Sequence, residues 1–197
     1  MQDTNIMQNK PPIEIKGVLN RDTCLKLHNF IDTDPIAFKE GYKTIWYNTL
    51  HKKMGAPFAQ VEHALNTVRF SGQKSVLDYY GEYSYPENTQ LVRWEIGEDM
   101  DCHSDFSPTA DNNRSNQKFW NSTEDSYRTY SGIFYINDDY EGGEIYFPQW
   151  DMSIKPQMGS QVIFPSTDDY FHGVKEVRNS KRYTITTWYA GDIKYVE

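Results

Sequence analysis

Residues 101–106 read D-C-H-S-D-F, and the rest of the chain is best understood from their spacing. Side chains two apart on an extended strand point to the same face, so His103 and Asp105 can reach one metal ion together. Asp101, also two residues from His103, competes for the carboxylate place. Two ligands do not close a site. His172, in F-H-G-V, lies 172 − 105 = 67 residues beyond Asp105 and is the candidate third ligand. Two imidazoles and one carboxylate form the facial set that leaves positions open on non-haem Fe(II). Ten residues after His172 stands Arg182, in S-K-R-Y-T-I-T-T-W. H-x-D alone recurs by chance, and a single downstream histidine is more often structural than ligating. The weight rests on the combination.

Outward from this stretch, residues from 90 onward form short β-type runs separated by turn signals, the spacing of a sandwich or closed barrel. The runs are 91–96, 127–137, 144–147, 150–155, 161–164, 171–177 and 182–189. His172 and Arg182 are expected to begin the two strands of a hairpin, joined by a polar four-residue connection at 178–181. If Arg182 points inward, so do Thr184, Thr186 and Trp188, while Tyr183, Ile185, Thr187 and Tyr189 point the other way. An inward arginine calls for an anionic partner, which a bound carboxylate would supply in bidentate geometry. An outward Arg182 on a solvated face, with Ile185 and Tyr189 as the core side, fits the parity equally well. Residues 107–126, rich in Asn, Ser, Asp and Thr, make one long structureless segment and are expected to act as a lid.

Upstream, residues 1–12 end in Pro11-Pro12 and read as a loose tail. A short strand is expected over 13–18, and Asn20 can cap a helix over 21–32 whose Cys24, Leu27 and Ile31 share one face. Residues 44–50 have strand composition. Phe58, Val61, Leu65 and Val68 mark a second helix; Gly72 is expected to interrupt it before 76–80 resume. His28, His51 and His63 are given no function.

The charge balance, 20 basic against 28 acidic residues, speaks against nucleic-acid or anionic-membrane binding. Two cysteines, Cys24 and Cys102, are too few for a disulfide framework, so a reducing, cytoplasmic setting is expected. No stretch approaches the roughly 18 apolar residues of a membrane span. Aromatic residues make up 15% of the chain, which suits strands and a rigid pocket lining.

The block running from L-V-R-W-E-I-G-E through H-S-D-F, G-I-F-Y-I-N, E-G-G-E-I-Y-F-P, F-H-G-V and K-R-Y-T-I-T-T-W resembles the Fe(II)/2-oxoglutarate-dependent dioxygenases, and within them the prolyl 4-hydroxylase-like branch. It spans roughly residues 90–190. The resemblance implies a mainly β fold with N-terminal helices (α+β), its core a double-stranded β-helix or jelly roll. The 197 residues would form one dioxygenase domain, with a buttress over 13–89 and the core over 90–190. It implies His103, Asp105 and His172 as iron ligands; Arg182 with Tyr135, and by parity Thr184, on the distal carboxylate of 2-oxoglutarate; and Thr186 and Trp188 on the pocket floor. Trp94 stands where the family commonly has tyrosine, and an indole offers a donor but no phenolic acceptor. The implied cofactors are Fe(II), 2-oxoglutarate and O2, with ascorbate a further candidate. The implied reaction hydroxylates a C–H bond, releasing succinate and CO2. Peptidyl proline is the first-choice substrate, in a peptide or protein partner. A free amino acid or small metabolite comes second, base demethylation is disfavoured by Thr184, Thr186 and Trp188, and a non-catalytic metal-binding jelly-roll module is the rival outside enzymology.

Overall fold

The computed structural model describes residues 10–33, 44–46, 56–105 and 128–191; the expected lid at 107–126 lies outside them. Among the described residues the chain is mainly β-sheet with two long helices. The larger sheet has six antiparallel strands in the order β1-β9-β5-β12-β3-β2, with β1 Ile13–Ile15, β2 Thr44–Trp46, β3 Ser84–Trp94, β5 Arg128–Tyr135, β9 Gln161–Pro165 and β12 Arg182–Gly191. The smaller sheet runs β4-β10-β7-β8, with β4 Met100–His103, β7 Ile145–Phe147, β8 Met152–Ile154 and β10 His172–Val174. A two-stranded ribbon pairs β6, Glu141–Gly142, with β11, Val177–Arg178. No described helix is long and apolar enough to cross a membrane.

The helices cover one face of the larger sheet. Helix α1, Arg21–Thr33, begins where Asn20 accepts at 2.9 Å from the Thr23 amide, and it buries Cys24, Leu27 and Ile31 as its spacing requires. Helix α2, Ala56–Ser75, packs Val61, Ala64, Leu65 and Val68 beside them against Leu91, Phe134, Ile136, Tyr183 and Ile185. The other face of the sheet meets the smaller sheet. There Ile133, Tyr135, Val162 and Phe164 pack with Ile145, Phe147 and Tyr170. Strand β12 is therefore buried on both sides. This is why parity could not choose for Arg182: Tyr183 and Ile185 belong to the helix side and Arg182 to the intersheet side, and both sides are core.

Three expectations are corrected. Gly72 does not interrupt α2, which runs through it. A Cβ at Gly72 would come within 1.8 Å of Tyr189 Oη, so the glycine marks a close approach of helix to sheet rather than a break. His172 and Arg182 do not begin a hairpin. β10 pairs with β4 and β7, whereas β12 lies between β5 and β3 in the other sheet. The short β11 turns the chain between them and takes its pairing from β6. Residues 10–12 of the expected tail are tied down, since Tyr170 Oη donates to Lys10 O at 2.7 Å and Tyr80 Oη to Pro11 O at 3.1 Å.

One glycine decides the turn into the smaller sheet. Gly142 has φ +66°, and a Cβ there would sit 1.9 Å from Glu176 O, backbone that cannot rotate away. The left-handed conformation alone costs an alanine roughly 1–2 kcal/mol. Gly142→Ala is therefore expected to lower unfolding stability by about 2 kcal/mol or more, read as a lower urea midpoint at unchanged slope.

Candidate metal centre

β10 lies beside β4 with His172 directly opposite His103, and the two ring centroids are 4.5 Å apart. Each ring is set by its own strand. His103 Nδ1 is 3.0 Å from Asp101 O, and His172 Nδ1 is 3.1 Å from Tyr170 O. A carbonyl only accepts, so each Nδ1 carries the proton and each Nε2 is left with a lone pair. Those two nitrogens converge on Asp105: His103 Nε2 is 3.6 Å from Oδ1 and His172 Nε2 is 3.8 Å from Oδ2. One ligand atom from each of the three residues lies within 4.8 Å of the other two. Asp101, the rival carboxylate, is exposed and contributes its backbone carbonyl to His103 instead. The His172 side chain is 3% exposed and that of His103 37%, so the cluster opens toward solvent on the His103 side.

The charges suit a divalent cation. Burial alone would push the Asp105 carboxyl up. The electropositive sides of the His103 and His172 imidazoles and the hydrogen bond from Ser131 together hold it well below the usual carboxylate range. Burial pushes His172 below the ordinary imidazole value, against the pull of Asp105, which favours the neutral, ligating form. Arg128, its guanidinium stacked 4.0 Å over the Trp188 ring, also faces the charge of Asp105.

A second group borders the same aromatic cluster. Arg182 is 1% exposed, and among the described residues no carboxylate pairs with it. Its guanidinium lies 4.9 Å from the Trp94 ring centroid and 5.0 Å from that of Tyr135, and Nη2 donates to Tyr135 Oη at 3.4 Å. The register explains the grouping, since Trp94 is opposite Arg182 on β3 and Tyr135 is opposite Thr184 on β5. Among the described residues, Arg182 Nε and Trp94 Nε1 are buried without hydrogen-bond partners, and the buried Tyr140 hydroxyl, close enough to feel the Arg182 charge, has no partner within hydrogen-bond geometry. A buried cation ringed by unspent donors matches a carboxylate, whose two oxygens can accept from several donors.

The structure thus brings His103, Asp105 and His172 into one cluster, and Arg182, Tyr135 and Trp94 into another, with Thr184 buried beside Tyr135. Trp188 is buried under Arg128, and Thr186 is half-buried on the same strand. Sequence reading missed Tyr140, Arg128 and the serines Ser131 and Ser166. Ser131 was within reach, because it shares parity with Tyr135 on one strand. Nothing around Tyr140 beyond the adjacent Gly142-Gly143 pair marked it.

The chain is similar over part of its length to characterised proteins. Human prolyl 3-hydroxylase 2 is 40% identical over 77 residues, covering 36% of this chain and 11% of the human protein. Chicken prolyl 3-hydroxylase 1 is 38% identical over the same length, again 11% of that protein. The chain therefore spans about a tenth of the length of these relatives. In fold it resembles a viral collagen prolyl hydroxylase from Paramecium Bursaria Chlorella virus-1, solved as a 2OG complex. The TM-score is 0.65 at 18% identity, over 94% of this chain and 98% of that one. It also resembles a prolyl-4-hydroxylase from Pseudomonas putida, with TM-score 0.59 at 15% identity, over 93% and 94%. The family model for the 2OG-Fe(II) oxygenase superfamily matches residues 89–190, more than half of the sequence. With the metal-ligand cluster and the carboxylate-seeking arginine both inside that span, the chain belongs to the 2OG-Fe(II) oxygenase superfamily.

Proposed function

We propose that this chain hydroxylates peptidyl proline. Membership of the superfamily makes it an oxidoreductase that uses Fe(II), 2-oxoglutarate and O2; what is proposed is the substrate and the role of each residue. The carrying observation is the pairing of a two-histidine, one-carboxylate cluster with a buried Arg182 that no carboxylate among the described residues neutralises. The prolyl hydroxylases among its relatives and fold neighbours support the substrate class.

His103, Asp105 and His172 would hold the metal through two Nε2 atoms and a carboxylate oxygen. Fe(II) with 2-oxoglutarate and O2 supplies the oxidising power: the co-substrate loses CO2 and becomes succinate, taking one oxygen atom, while the other enters a substrate C–H bond. The protein's own part is binding and exclusion. Arg182, with Tyr135, Tyr140 and Thr184, would grip the distal carboxylate. Trp94 would close the pocket over the guanidinium with an indole donor. Trp188 and Thr186 would form the floor, and Phe147 and Phe164 keep water from His172, their rings lying 5.7 and 4.6 Å from it. No side chain is asked to move a proton.

The helix-backed larger sheet facing a smaller one supports a double-stranded β-helix core. The two helices share a core with that sheet, which supports one domain across the 197 residues.

The test is succinate release from Fe(II)-loaded protein with 2-oxoglutarate, alone and with proline-rich peptides, free amino acids or single-stranded oligonucleotides. Stimulation by the peptides, with a gain of one oxygen on proline, is expected. Stimulation by free amino acids alone would overturn the substrate while leaving the chemistry. The carboxylate grip has its own test. A hydrogen bond to a charged group is worth about 1.5–3 kcal/mol, so Tyr140→Phe is expected to raise the KM for 2-oxoglutarate about ten- to a hundredfold while metal affinity stays unchanged.

A further inference from the structure

A chain of hydroxyls backs Asp105. Ser131 Oγ lies 2.7 Å from Asp105 Oδ2 and 2.8 Å from Ser166 Oγ, and both serines are buried. A hydroxyl has one proton, and an ionised carboxylate can only accept. The Ser131 proton is therefore committed to Asp105, and Ser166 must be the donor to Ser131. The relay has one direction, from Ser166 to Ser131 to Asp105, and each bond polarises the next. Ser166 is itself fixed at the backbone. Its amide donates to Thr129 O at 2.9 Å, and its carbonyl accepts from Ser104 Oγ at 3.0 Å. Ser131 belongs to β5, Ser166 follows β9, and Ser104 and Asp105 follow β4. The relay thus joins the end of an edge strand to the interior of the larger sheet.

We propose that Ser131 is a positioning residue: by occupying Oδ2 it keeps Asp105 a one-oxygen metal ligand and so preserves an open coordination position. This rests on the metal-site reading above. A carboxylate can ligate through one oxygen or both. With two imidazoles and one carboxylate oxygen bound, a six-coordinate ion keeps room for a chelating 2-oxoglutarate and for O2. A second Asp105 oxygen would take one of those places. Oδ2 is the oxygen that accepts from Ser131 at 2.7 Å, whereas Oδ1, 3.6 Å from His103 Nε2, carries no such bond. Arg128 bears on the same carboxylate by its charge, but its guanidinium is stacked on Trp188, so it does not replace the directed bond from Ser131.

The test uses the full chain loaded with Co(II), whose visible spectrum reports ligand number, and calorimetric titration with Co(II) and then 2-oxoglutarate. Ser131→Ala is expected to change the Co(II) spectrum and to weaken 2-oxoglutarate binding to the metal-loaded protein about 10–100-fold, the range for partners of metal ligands. Ser131→Thr keeps a hydroxyl and is expected to restore both. Ser166→Ala removes the donor behind Ser131 and is expected to move the spectrum in the same direction by less; it carries the test if Ser131→Ala fails to fold. Wild-type spectrum and wild-type 2-oxoglutarate affinity in the folded alanine variants would overturn the proposal. A spectral change that Ser131→Thr does not reverse would do so too. Failure of the wild-type chain to bind Co(II) would instead sink the metal reading, and this proposal with it.

Discussion

Replacing Arg182 by methionine is expected to raise the dissociation constant for 2-oxoglutarate by about thirtyfold or more without lowering the melting temperature of the ligand-free protein. Truncating one side of a buried, hydrogen-bonded charge pair costs about 2–5 kcal/mol, and every 1.4 kcal/mol is tenfold in affinity. The stability half of the expectation comes from the unliganded side chain. A buried ion carries a desolvation penalty of several kcal/mol, and no carboxylate among the described residues offsets it. The ring contacts with Trp94 and Tyr135 return about 0.5–2 kcal/mol each. The balance leaves a buried charge uncompensated in the ligand-free protein, and methionine fills similar volume with no charge to desolvate. Calorimetric titration with 2-oxoglutarate and a thermal melt of the same sample check both halves. Unchanged affinity for 2-oxoglutarate would show that Arg182 does not hold the carboxylate.

His172→Ala is expected to abolish iron-dependent turnover and to weaken metal binding by more than the roughly 10–100-fold that changes at a ligand's outer partners cost. His172 is enclosed by Phe147 and Phe164 and is 3% exposed, so no water-borne group can readily substitute for it. The pH dependence is the more diagnostic part. Because burial holds the folded His172 below its ordinary value of 6.5, the unfolded chain binds more protons as pH falls through that value. Stability of the ligand-free protein from this residue is then complete above about 6.5 and is lost as pH drops toward the folded pKa. His172→Ala should remove that component of the slope. Urea midpoints of the two proteins between neutral and mildly acidic pH measure it; parallel slopes would contradict it.

Much of this was legible where the signal is local. Asn20 and the Cys24–Leu27–Ile31 stripe define α1 within a few residues, and α1 forms as read. The H-x-D pair and the downstream histidine were legible because ligand chemistry restricts residue types so strongly. What could not be read depends on partners far along the chain. Gly72 looks like a helix breaker until Tyr189 is placed against it. Arg182 looks ambiguous because polarity labels a strand's faces only when one face meets water, and neither face of β12 does. The hairpin failed because the nine residues between His172 and Arg182 suffice to change sheets, and β10 found its partner in β4 instead. Ser131 could have been placed on the inward face, but its bond to Asp105 spans 26 residues, most of them without a readable pattern.

Both imidazole tautomers are set by carbonyls on the same stretch of chain as the rings they orient. The donor lone pairs therefore stand ready before an ion arrives, with no proton to relocate within either ring. Metal capture by these rings then resembles filling a rigid host rather than folding around a guest. For such a host, added stability follows RT ln(1 + [M]/Kd) alone. A series of thermal melts at increasing Mn(II) concentration would thus trace a binding isotherm, giving the ion's intrinsic affinity without a separate correction for ordering the two histidines.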